Sequence, residues 1–359
     1  MGKRVAIFLP NLTGGGAERV ALASAADLAG RGHKVDLLLV EAKGDLLPLV
    51  PKGVRVVDLK AHRIVAALPA LARYLRDERP DALHGVMWPV TIVAIMAHRL
   101  ARSNAKLVVS DHTTLSRHVI GSIQRRLLAW STRLLYPLAD VRIAVSNAAA
   151  DDLAQLSGIA RDRIEVIYNP ISPPARIASN AKVDALWKGK GPRIITVGSL
   201  KPEKQQALLI RAFARLADRK ARLMILGQGP LRPSLERLAA ELGIAGRVLF
   251  PGFSVDPWPY LASADLFVLS SDYEGFPLVL AEAMHAGLKV VSTDCLSGPA
   301  EILDGGRYGR LVPCGDADAL AIAMKRALAE PADPERVRAR AIELTGPSLL
   351  RRYEELLLG

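Results

Sequence analysis

The chain has 359 residues, of which half are hydrophobic and 23% are charged; this excludes a disordered chain, and the length fits two domains better than one. The net charge of +12 indicates an anionic partner, but leaves open whether it is nucleic acid, acidic lipid or a phosphorylated substrate. The two cysteines, Cys295 and Cys314, match neither a metal-ligand spacing nor a disulfide framework, so we expect a reducing compartment.

The N-terminal stretch from Met1 to Pro10 is basic and then apolar. Its apolar part is too short for a signal peptide, and it fits a buried first strand instead. The longest uncharged run lies between Val86 and Ala97 and is interrupted by Pro89, whereas a span across a bilayer needs about 20 residues. We therefore expect a cytoplasmic protein that does not cross a membrane.

Short apolar runs alternate with helix-period segments in the first half of the chain. The predicted strands are Val5–Leu9, Val35–Val40, Val54–Leu59, Ala82–Gly85, Lys106–Val109 and Val141–Val145. Continuous apolar strands separated by helices predict a parallel sheet that is covered on both faces. The region from Asn169 to Pro192 is rich in proline and lacks periodicity, which is typical of a linker.

The alternation then resumes. The predicted strands of the second half are Arg193–Val197, Leu223–Leu226, Val248–Phe250, Leu266–Leu269 and Lys289–Val291. Predicted helices include Gln205–Leu216, Leu231–Leu242 and Ser348–Leu357. The sequence thus predicts an α/β protein of two Rossmann-like, doubly wound domains that face each other across a cleft: residues 1–170, residues 171–345, and a helix in 346–359 that returns to the first domain.

In such sheets ligands bind at the carboxyl ends of strands. The first of these loops holds Gly14, Gly15 and Gly16 before a helix, where free N–H groups would hold an anion or an oxyanion; a plain tight turn is the alternative. His112 follows the strand Lys106–Val109, where it could bond a substrate hydroxyl or stabilise charge. As a lone histidine it could equally be an ordinary polar residue.

Two loops of the second half carry stronger signals. The loop from Gly198 to Lys204 brings two lysines to a strand end, which suits a diphosphate, with a solvated basic loop as the alternative. The segment from Ser270 to Glu282 places Glu274 in a loop, Pro277 in a first helical turn and Glu282 on the helix. A carboxylate there can accept two hydrogen bonds from a sugar diol.

Over essentially its whole length the sequence resembles the family-four (group 1) retaining glycosyltransferases of the GT-B fold, in particular bacterial transferases of surface polysaccharides and lipid-linked oligosaccharides. Its strongest motif is E-x7-E, formed by Glu274 and Glu282. Further matching motifs, in the family's order, are Gly14-Gly15-Gly16, Val145-Ser146-Asn147, Ile167-Tyr168-Asn169-Pro170, the Gly198–Lys204 loop, Leu226-Gly227-Gln228-Gly229-Pro230, Phe250-Pro251-Gly252-Phe253, Gly298-Pro299-Ala300-Glu301-Ile302 and Leu311–Asp316.

The resemblance implies that His112 and Glu274 are the catalytic residues, with Glu274 facing the hydroxyls of the donor sugar. It implies that Glu282 binds the ribose hydroxyls of the donor and that Lys204 neutralises its diphosphate. The full set of implied donor-binding residues is Gly15, Gly16, Gly198, Lys204, Gly229, Glu274, Gly275, Phe276, Pro277, Leu278 and Glu282.

One departure concerns the diphosphate contacts. Where the family has arginine in G-R-L-x-x-x-K, this chain has Ser199, and Lys201 is a candidate replacement for the missing cation. We assign no D-x-D motif to a metal and expect no metal and no cofactor. Lysine and helix N-termini can stabilise the leaving diphosphate in place of a metal ion.

Plotted as a helix, Leu115–Tyr136 places Ile123, Leu127, Trp130 and Leu134 on one face, with Arg125, Arg126 and Arg133 beside it. This pattern predicts peripheral binding to an anionic membrane, on the cytoplasmic face of the inner membrane, and a lipid-linked acceptor. A core-facing helix with a solvated basic edge is the alternative.

The predicted activity is transfer of a sugar from a nucleotide-sugar, preferably a UDP-sugar, to a lipid-linked glycan or polysaccharide precursor. A GT-B nucleotide-sugar epimerase, a sugar-nucleotide sensor without activity and a basic nucleic-acid-binding or anion-binding protein are the alternatives. The sequence contains no recognised nucleic-acid-binding motif, so we expect no nucleic-acid partner.

Overall fold

The structure is a computed structural model that describes residues 2–118 and 121–359. The chain forms two compact units. Unit 1 contains residues 1–172 and 347–359, and unit 2 contains residues 173–346.

Unit 1 is built on a parallel sheet of seven strands. In chain order these are β1 (Arg4–Leu9), β2 (Lys34–Leu39), β3 (Val54–Asp58), β4 (Ala82–Val86), β5 (Lys106–Asp111), β6 (Val141–Ala144) and β7 (Glu165–Val166). Their order across the sheet is β3-β2-β1-β4-β5-β6-β7. The strands β1, β2, β4 and β5 are almost wholly buried, because helices cover both faces of the sheet.

The helices that precede the linker in unit 1 are α1 (Gly16–Gly30), α2 (Leu68–Glu78), α3 (Val90–Ala101), α4 (Leu115–His118), α5 (Ser122–Leu135) and α6 (Asn147–Ser157).

Unit 2 repeats the architecture with a parallel sheet of six strands. These are β8 (Arg193–Val197), β9 (Arg222–Leu226), β10 (Val248–Gly252), β11 (Leu266–Leu269), β12 (Lys289–Thr293) and β13 (Arg310–Val312), in the order β10-β9-β8-β11-β12-β13. Its helices are α7 (Ala181–Leu186), α8 (Gln206–Ala214), α9 (Arg232–Glu241), α10 (Trp258–Ala262), α11 (Leu278–His285), α12 (Pro299–Ile302), α13 (Ala317–Ala329) and α14 (Pro334–Thr345).

The last helix, α15 (Ser348–Leu358), packs on unit 1 against α1, β4 and β5. Tyr353 is buried there, and Glu354 bonds His33 at 2.9 Å. An ion pair between Arg352 and Glu165 joins the same helix to β7. These contacts make the C-terminal helix an integral part of unit 1.

The prediction of two doubly wound parallel sheets is confirmed, with differences in detail. The predicted linker contains a helix, α7, which begins after Asn180; the Asn180 side chain accepts a bond from the N–H of Val183. The predicted continuous helix Leu115–Tyr136 is wrong: α4 ends at His118 and α5 begins at Ser122, after Gly121 in an extended conformation. Residues 119 and 120 lie outside the described residues.

In each sheet the order of strands reverses at one place, between β1 and β4 in unit 1 and between β8 and β11 in unit 2. Loops that leave two adjacent strands in opposite directions open a crevice at their carboxyl ends, which is where open α/β sheets bind ligands. Within the described ranges, no helix combines the length and the apolar character needed to cross a bilayer.

Candidate active site

The reversal point of unit 2 brings the two strongest sequence motifs together. The loop after β8 ends in a 3₁₀ turn, Pro202–Lys204, and Gln205 then takes a left-handed conformation before α8 begins. The loop after β11 carries Glu274. Because β8 and β11 are neighbours in the sheet, these two loops meet at its carboxyl edge.

Lys204 and Glu274 form an ion pair there, with 2.6 Å between Nζ and Oε1. The two side chains are 23% and 10% exposed. Burial by itself lowers the pKa of Lys204, but the charge and hydrogen bond of Glu274 outweigh it and raise the pKa above its ordinary value. Lys204 therefore remains a cation at physiological pH, as a diphosphate-binding group must.

Serine hydroxyls hold this pair, and no motif in the sequence pointed to them. Ser271 Oγ donates to the same Oε1 atom of Glu274 at 2.6 Å, and Ser270 Oγ donates to the carbonyl of Lys204 at 2.9 Å. Ser297 Oγ lies 2.8 Å from the carbonyl oxygens of both Glu274 and Gly275. The loop around Glu274 is thus fixed by serine hydroxyls from two segments, residues 270–271 and Ser297.

The helix α11 begins at Leu278, one residue later than the sequence predicts. Pro277 precedes the first turn, with φ −70° and ψ 93°, rather than lying inside it. Phe276 and Leu278 are largely buried, and Glu282 is 6% exposed. The N–H groups at the start of α11 therefore follow the Glu274 loop directly, as the predicted contact of Gly275–Leu278 with a donor requires.

Gly298 explains how this turn packs. It has φ +93°, and a Cβ atom there would lie 2.5 Å from Cδ of Pro277. The preceding residue, Ser297, also has a positive φ of 66°. The Gly298-Pro299-Ala300-Glu301 motif thus packs against the turn that opens α11.

Gly198 and Gly229, both predicted to bind the donor, lie in adjacent loops with different surroundings. A Cβ atom at Gly198 would meet the side chain of Lys204 at 3.9 Å, an ordinary contact. A Cβ atom at Gly229 would lie 2.4 Å from the carbonyl oxygen of Leu200. Gly229 therefore lets the loops after β8 and β9 touch, whether or not it also contacts a ligand.

Ser199, which stands where the family has arginine, joins its loop to the next helix through its backbone. The carbonyl of Ser199 accepts a bond from Gln206 Nε2 at 2.9 Å, which joins the loop to α8. Lys201 is exposed in the same loop.

Asp316 and Asp318, which spell D-x-D, lie at the start of α13, where Asp316 accepts bonds from the N–H groups of Asp318 and Ala319.

In unit 1 the glycine loop after β1 leads into α1, with Gly15 at the N-cap and Gly14 at φ +108°. The side chain of Glu18 folds back over this loop. A Cβ atom at Gly15 would lie 2.3 Å from one of its carboxylate oxygens, and Glu18 is 7% exposed. The absence of a side chain at Gly15 therefore leaves room for the carboxylate of Glu18.

His112 follows β5, is half-buried, and lies at the end of a chain of polar groups whose other members, Ser110 and His84, are buried. Its Nε2 lies 3.2 Å from Ser110 Oγ, which lies 2.9 Å from Nε2 of His84 on β4. Burial lowers the pKa of His112 to about 4, against an opposing effect of a hydrogen bond with Asn169. His112 is therefore neutral at physiological pH, which favours the predicted contact with a hydroxyl over stabilisation of negative charge.

Asp111 beside it has a structural role. Its carboxylate accepts bonds from the Tyr136 hydroxyl at 2.7 Å and from the backbone N–H of Trp88 at 3.1 Å. Trp88 lies in the loop after β4, so Asp111 joins the loops that follow β4 and β5. Burial raises the pKa of Asp111 to about 6, although both hydrogen bonds lower it.

Each half of the chain matches a family of known proteins. Residues 14–173 match the profile of glycosyltransferase family 4, and residues 179–344 match that of the glycosyl transferases group 1. A Campylobacter jejuni protein named N-acetylgalactosamine-N,N'-diacetylbacillosaminyl-diphospho-undecaprenol 4-alpha-N-acetylgalactosaminyltransferase is 31% identical over 330 residues, which are 86% of each chain. The lipopolysaccharide core biosynthesis glycosyltransferase LpsE of Rhizobium meliloti is 36% identical over 57% of this chain and 59% of its own.

The structure is similar to that of HepE from Anabaena, which was solved in complex with UDP-glucose. The two superpose with a TM-score of 0.83 and 21% sequence identity, over 99% of each chain. At this level of identity the likeness establishes the fold, which is GT-B. Together with the relative from Campylobacter, these matches show that the chain belongs to the group 1 (family 4) glycosyltransferases and is a glycosyltransferase.

Proposed function

We propose that the protein transfers a sugar from a UDP-sugar, with retention of anomeric configuration, to a glycan acceptor carried on a lipid diphosphate. The observation that carries the donor site is the ion pair of Lys204 and Glu274 at the reversal point of unit 2. In the reaction the bond between the anomeric carbon and the diphosphate oxygen breaks, and the diphosphate leaves with the electron pair. The acceptor oxygen forms the new bond, and its proton passes to the departing diphosphate.

Negative charge therefore grows on the diphosphate as the bond breaks. A cation that is already in place stabilises that charge without reorganisation. Lys204 meets this condition, and the N–H groups that open α11 add a partial positive charge nearby. Glu274 would accept hydrogen bonds from the sugar hydroxyls, and Glu282 from the ribose. His112 stays our prediction for a neutral group that contacts the sugar near the reacting bond.

The choice of nucleotide and acceptor follows the similar proteins. HepE binds UDP-glucose, and the name of the Campylobacter relative describes 4-alpha transfer of N-acetylgalactosamine to a sugar on diphospho-undecaprenol. Lys204 and the N-terminus of α11 suit the diphosphate of any nucleotide-sugar, so the base and the sugar have to be tested. No step in this scheme requires a metal or a cofactor.

A thermal-shift screen of UDP-, GDP- and ADP-sugars tests the donor site. We expect one UDP-sugar to raise the melting temperature, because a ligand that binds only the folded state stabilises it. At a ligand concentration of 100 times Kd, the free energy of unfolding rises by about 2.7 kcal/mol. The variant Glu282→Ala should keep the melting temperature of the free protein within a few degrees and lose most of the shift. A wild-type protein that responds to none of these sugars would contradict the proposed donor site.

The helix α5 supports the proposed encounter with a membrane. Its apolar stripe is exposed: Ile123 by 80%, Leu127 by 53%, Trp130 by 62% and Leu134 by 51%. The opposite face, with Leu128 and Thr132, is buried. The alternative that the stripe faces the core is therefore wrong, and the apolar residues are available to a partner.

Charge indicates which partner fits this stripe. The sequence of α5 contains three arginines and no acidic residue. At 100° per residue, Arg126 and Arg133 lie on one side of the stripe, and both are exposed. An exposed stripe with tryptophan and flanking arginines fits the interface of an anionic bilayer. We propose that this helix holds the enzyme at the membrane that carries its lipid-linked acceptor.

Flotation with liposomes tests this proposal. We expect binding to vesicles that contain phosphatidylglycerol and little binding to pure phosphatidylcholine. Each basic residue contributes about 1 kcal/mol near an anionic surface, so Arg126→Glu with Arg133→Glu should weaken binding at least about 30-fold. A control with the same charge change, Arg211→Glu with Arg237→Glu on α8 and α9, should bind like the wild type. The proposal would be contradicted if both double variants lost liposome binding equally, or if binding did not depend on anionic lipid.

A further inference from the structure

One oxygen of Glu274 is shared by two donors. Lys204 Nζ and Ser271 Oγ each lie 2.6 Å from Oε1. The two donors differ in what else they can do. The ammonium group of lysine ends a flexible chain of four carbons, whereas a serine hydroxyl lies one bond beyond Cβ and goes where the backbone places it.

The backbone of Ser271 is fixed to the neighbouring strand. Ser271 is fully buried, and its carbonyl accepts a hydrogen bond of 2.6 Å from Thr293 Oγ1, at the end of β12. Thr293 is itself fully buried. The ladder between β11 and β12 ends at Leu269 and Ser292, so this bond joins the two segments just beyond the last paired residues. Ser271 therefore presents its hydroxyl from a rigid platform.

Donor binding changes what Lys204 faces. In the proposed function the ammonium group neutralises the diphosphate, which carries more charge than a carboxylate. Once Lys204, the more mobile of the two donors, turns to the phosphates, its ion pair with Glu274 weakens. A largely buried carboxylate with weaker pairing could rotate away from the sugar. The bond from Ser271 opposes this rotation.

We propose that Ser271 is a positioning residue that keeps Glu274 aimed at the donor sugar while Lys204 engages the diphosphate. This inference rests on the proposed donor site and adds a division of labour within it. Lys204 serves the diphosphate, which UDP and UDP-sugars share. The Ser271–Glu274 unit serves the sugar, which UDP lacks. Removing the Ser271 hydroxyl should therefore separate the affinities of the two ligands.

Isothermal titration of UDP and of UDP-glucose, or of whichever UDP-sugar shifts the melting temperature most, tests this proposal. Hydrogen bonds to charged groups are strong enough that Ser271→Ala should weaken binding of the UDP-sugar by about 10- to 100-fold. Its affinity for UDP should stay within about twofold. The matched control is Ser292→Ala, since Ser292 is equally buried but donates to the carbonyl of Thr293. It should leave the ratio of the two affinities unchanged.

If Ser271→Ala fails to fold, Thr293→Val provides the second variant. It removes the bond that fixes the Ser271 backbone and should weaken UDP-sugar binding more than UDP binding, by a smaller factor. Equal weakening of both ligands would show that Ser271 merely supports the fold and would overturn the proposal. So would unchanged binding of both. A wild type that binds UDP but gains nothing from the sugar would overturn this inference alone, whereas a wild type that binds neither ligand would overturn the donor site as well.

Discussion

Replacing Lys204 with methionine is expected to lower kcat/KM for sugar transfer by about 10²- to 10³-fold, the cost of removing one preorganised group that stabilises developing negative charge. Methionine keeps much of the length and the apolar stem of lysine and removes the charge. The measurement is release of UDP from the stabilising UDP-sugar with a diphospho-undecaprenol-linked sugar as acceptor. Lys220→Met, an exposed lysine just before β9, is the control and should be fully active.

The same substitution has a second effect that has to be separated from the first. It leaves Glu274 largely buried without its cation, although Ser271 still donates to it. Because about a quarter of the Lys204 side chain is exposed, we expect the free energy of unfolding to fall by only about 1–3 kcal/mol. Adding Glu274→Gln removes the negative charge. It keeps an amide oxygen that can accept the bond from Ser271.

The double variant therefore distinguishes stability from catalysis. Its melting temperature should return towards that of the wild type, while its activity should stay at or below that of Lys204→Met. If Glu274→Gln restored activity along with stability, Lys204 would matter for the fold and not for the leaving group.

Lys201→Met in the same assay shows whether this neighbouring lysine replaces the arginine that is absent at Ser199. A loss near tenfold or more would support that role.

The two sheets were predictable because parallel strands buried on both faces appear in the sequence as continuous apolar runs. The two strands that the sequence did not reveal, β7 and β13, have two and three residues and lie at sheet edges. Strands this short bury few side chains, so their sequence does not need a continuous apolar run. Likewise, the proline-rich segment before β8 hid the six-residue helix α7, for which the cap at Asn180 was the available signal.

Periodicity identified the apolar stripe of α5 but could not say which way it faces. A stripe of the same spacing can face a core or the solvent, and the choice depends on which other residues fill the opposite side. Here Leu128, Ser131 and Thr132 are the buried ones. Gly121 was a usable signal for the break between α4 and α5, since glycine inside a helix is unfavourable.

For the active site, motif positions were predictable and contacts were not. Lys204 and Glu274 each follow a strand, but their 2.6 Å contact depends on β8 and β11 being neighbours, which the order of elements along the chain does not reveal. The hydroxyls of Ser271, Thr293 and Ser297 have no sequence signature, because serine and threonine occur in many loops without such a role. His84 and Ser110, which adjoin His112, were hidden inside strands for the same reason.

Gly229→Ala is expected to destabilise the protein even without a ligand, by about 3 kcal/mol, at the upper end of the usual cost of overpacking. The family resemblance implies only donor binding for Gly229. In the structure its missing side chain makes room for backbone atoms of Leu200, whose N–H donates to the carbonyl of Gln228 at 2.9 Å. A methyl group there meets the backbone of Leu200, which cannot rotate away as a flexible side chain would. The measurement is the free energy of unfolding in urea without nucleotide.

The matched control is Gly246→Ala, in the same unit. Nothing lies within 4 Å of a Cβ atom at Gly246, and its φ is not in the left-handed region. Alanine there should be neutral or stabilising by up to about 1 kcal/mol, because it restricts the unfolded chain. Since the loops after β8 and β9 are held together at Gly229, the variant should also weaken UDP binding, as the loop that carries Lys204 shifts. A Gly229→Ala protein with wild-type stability and lost UDP affinity would instead make Gly229 a ligand contact, as the sequence predicts.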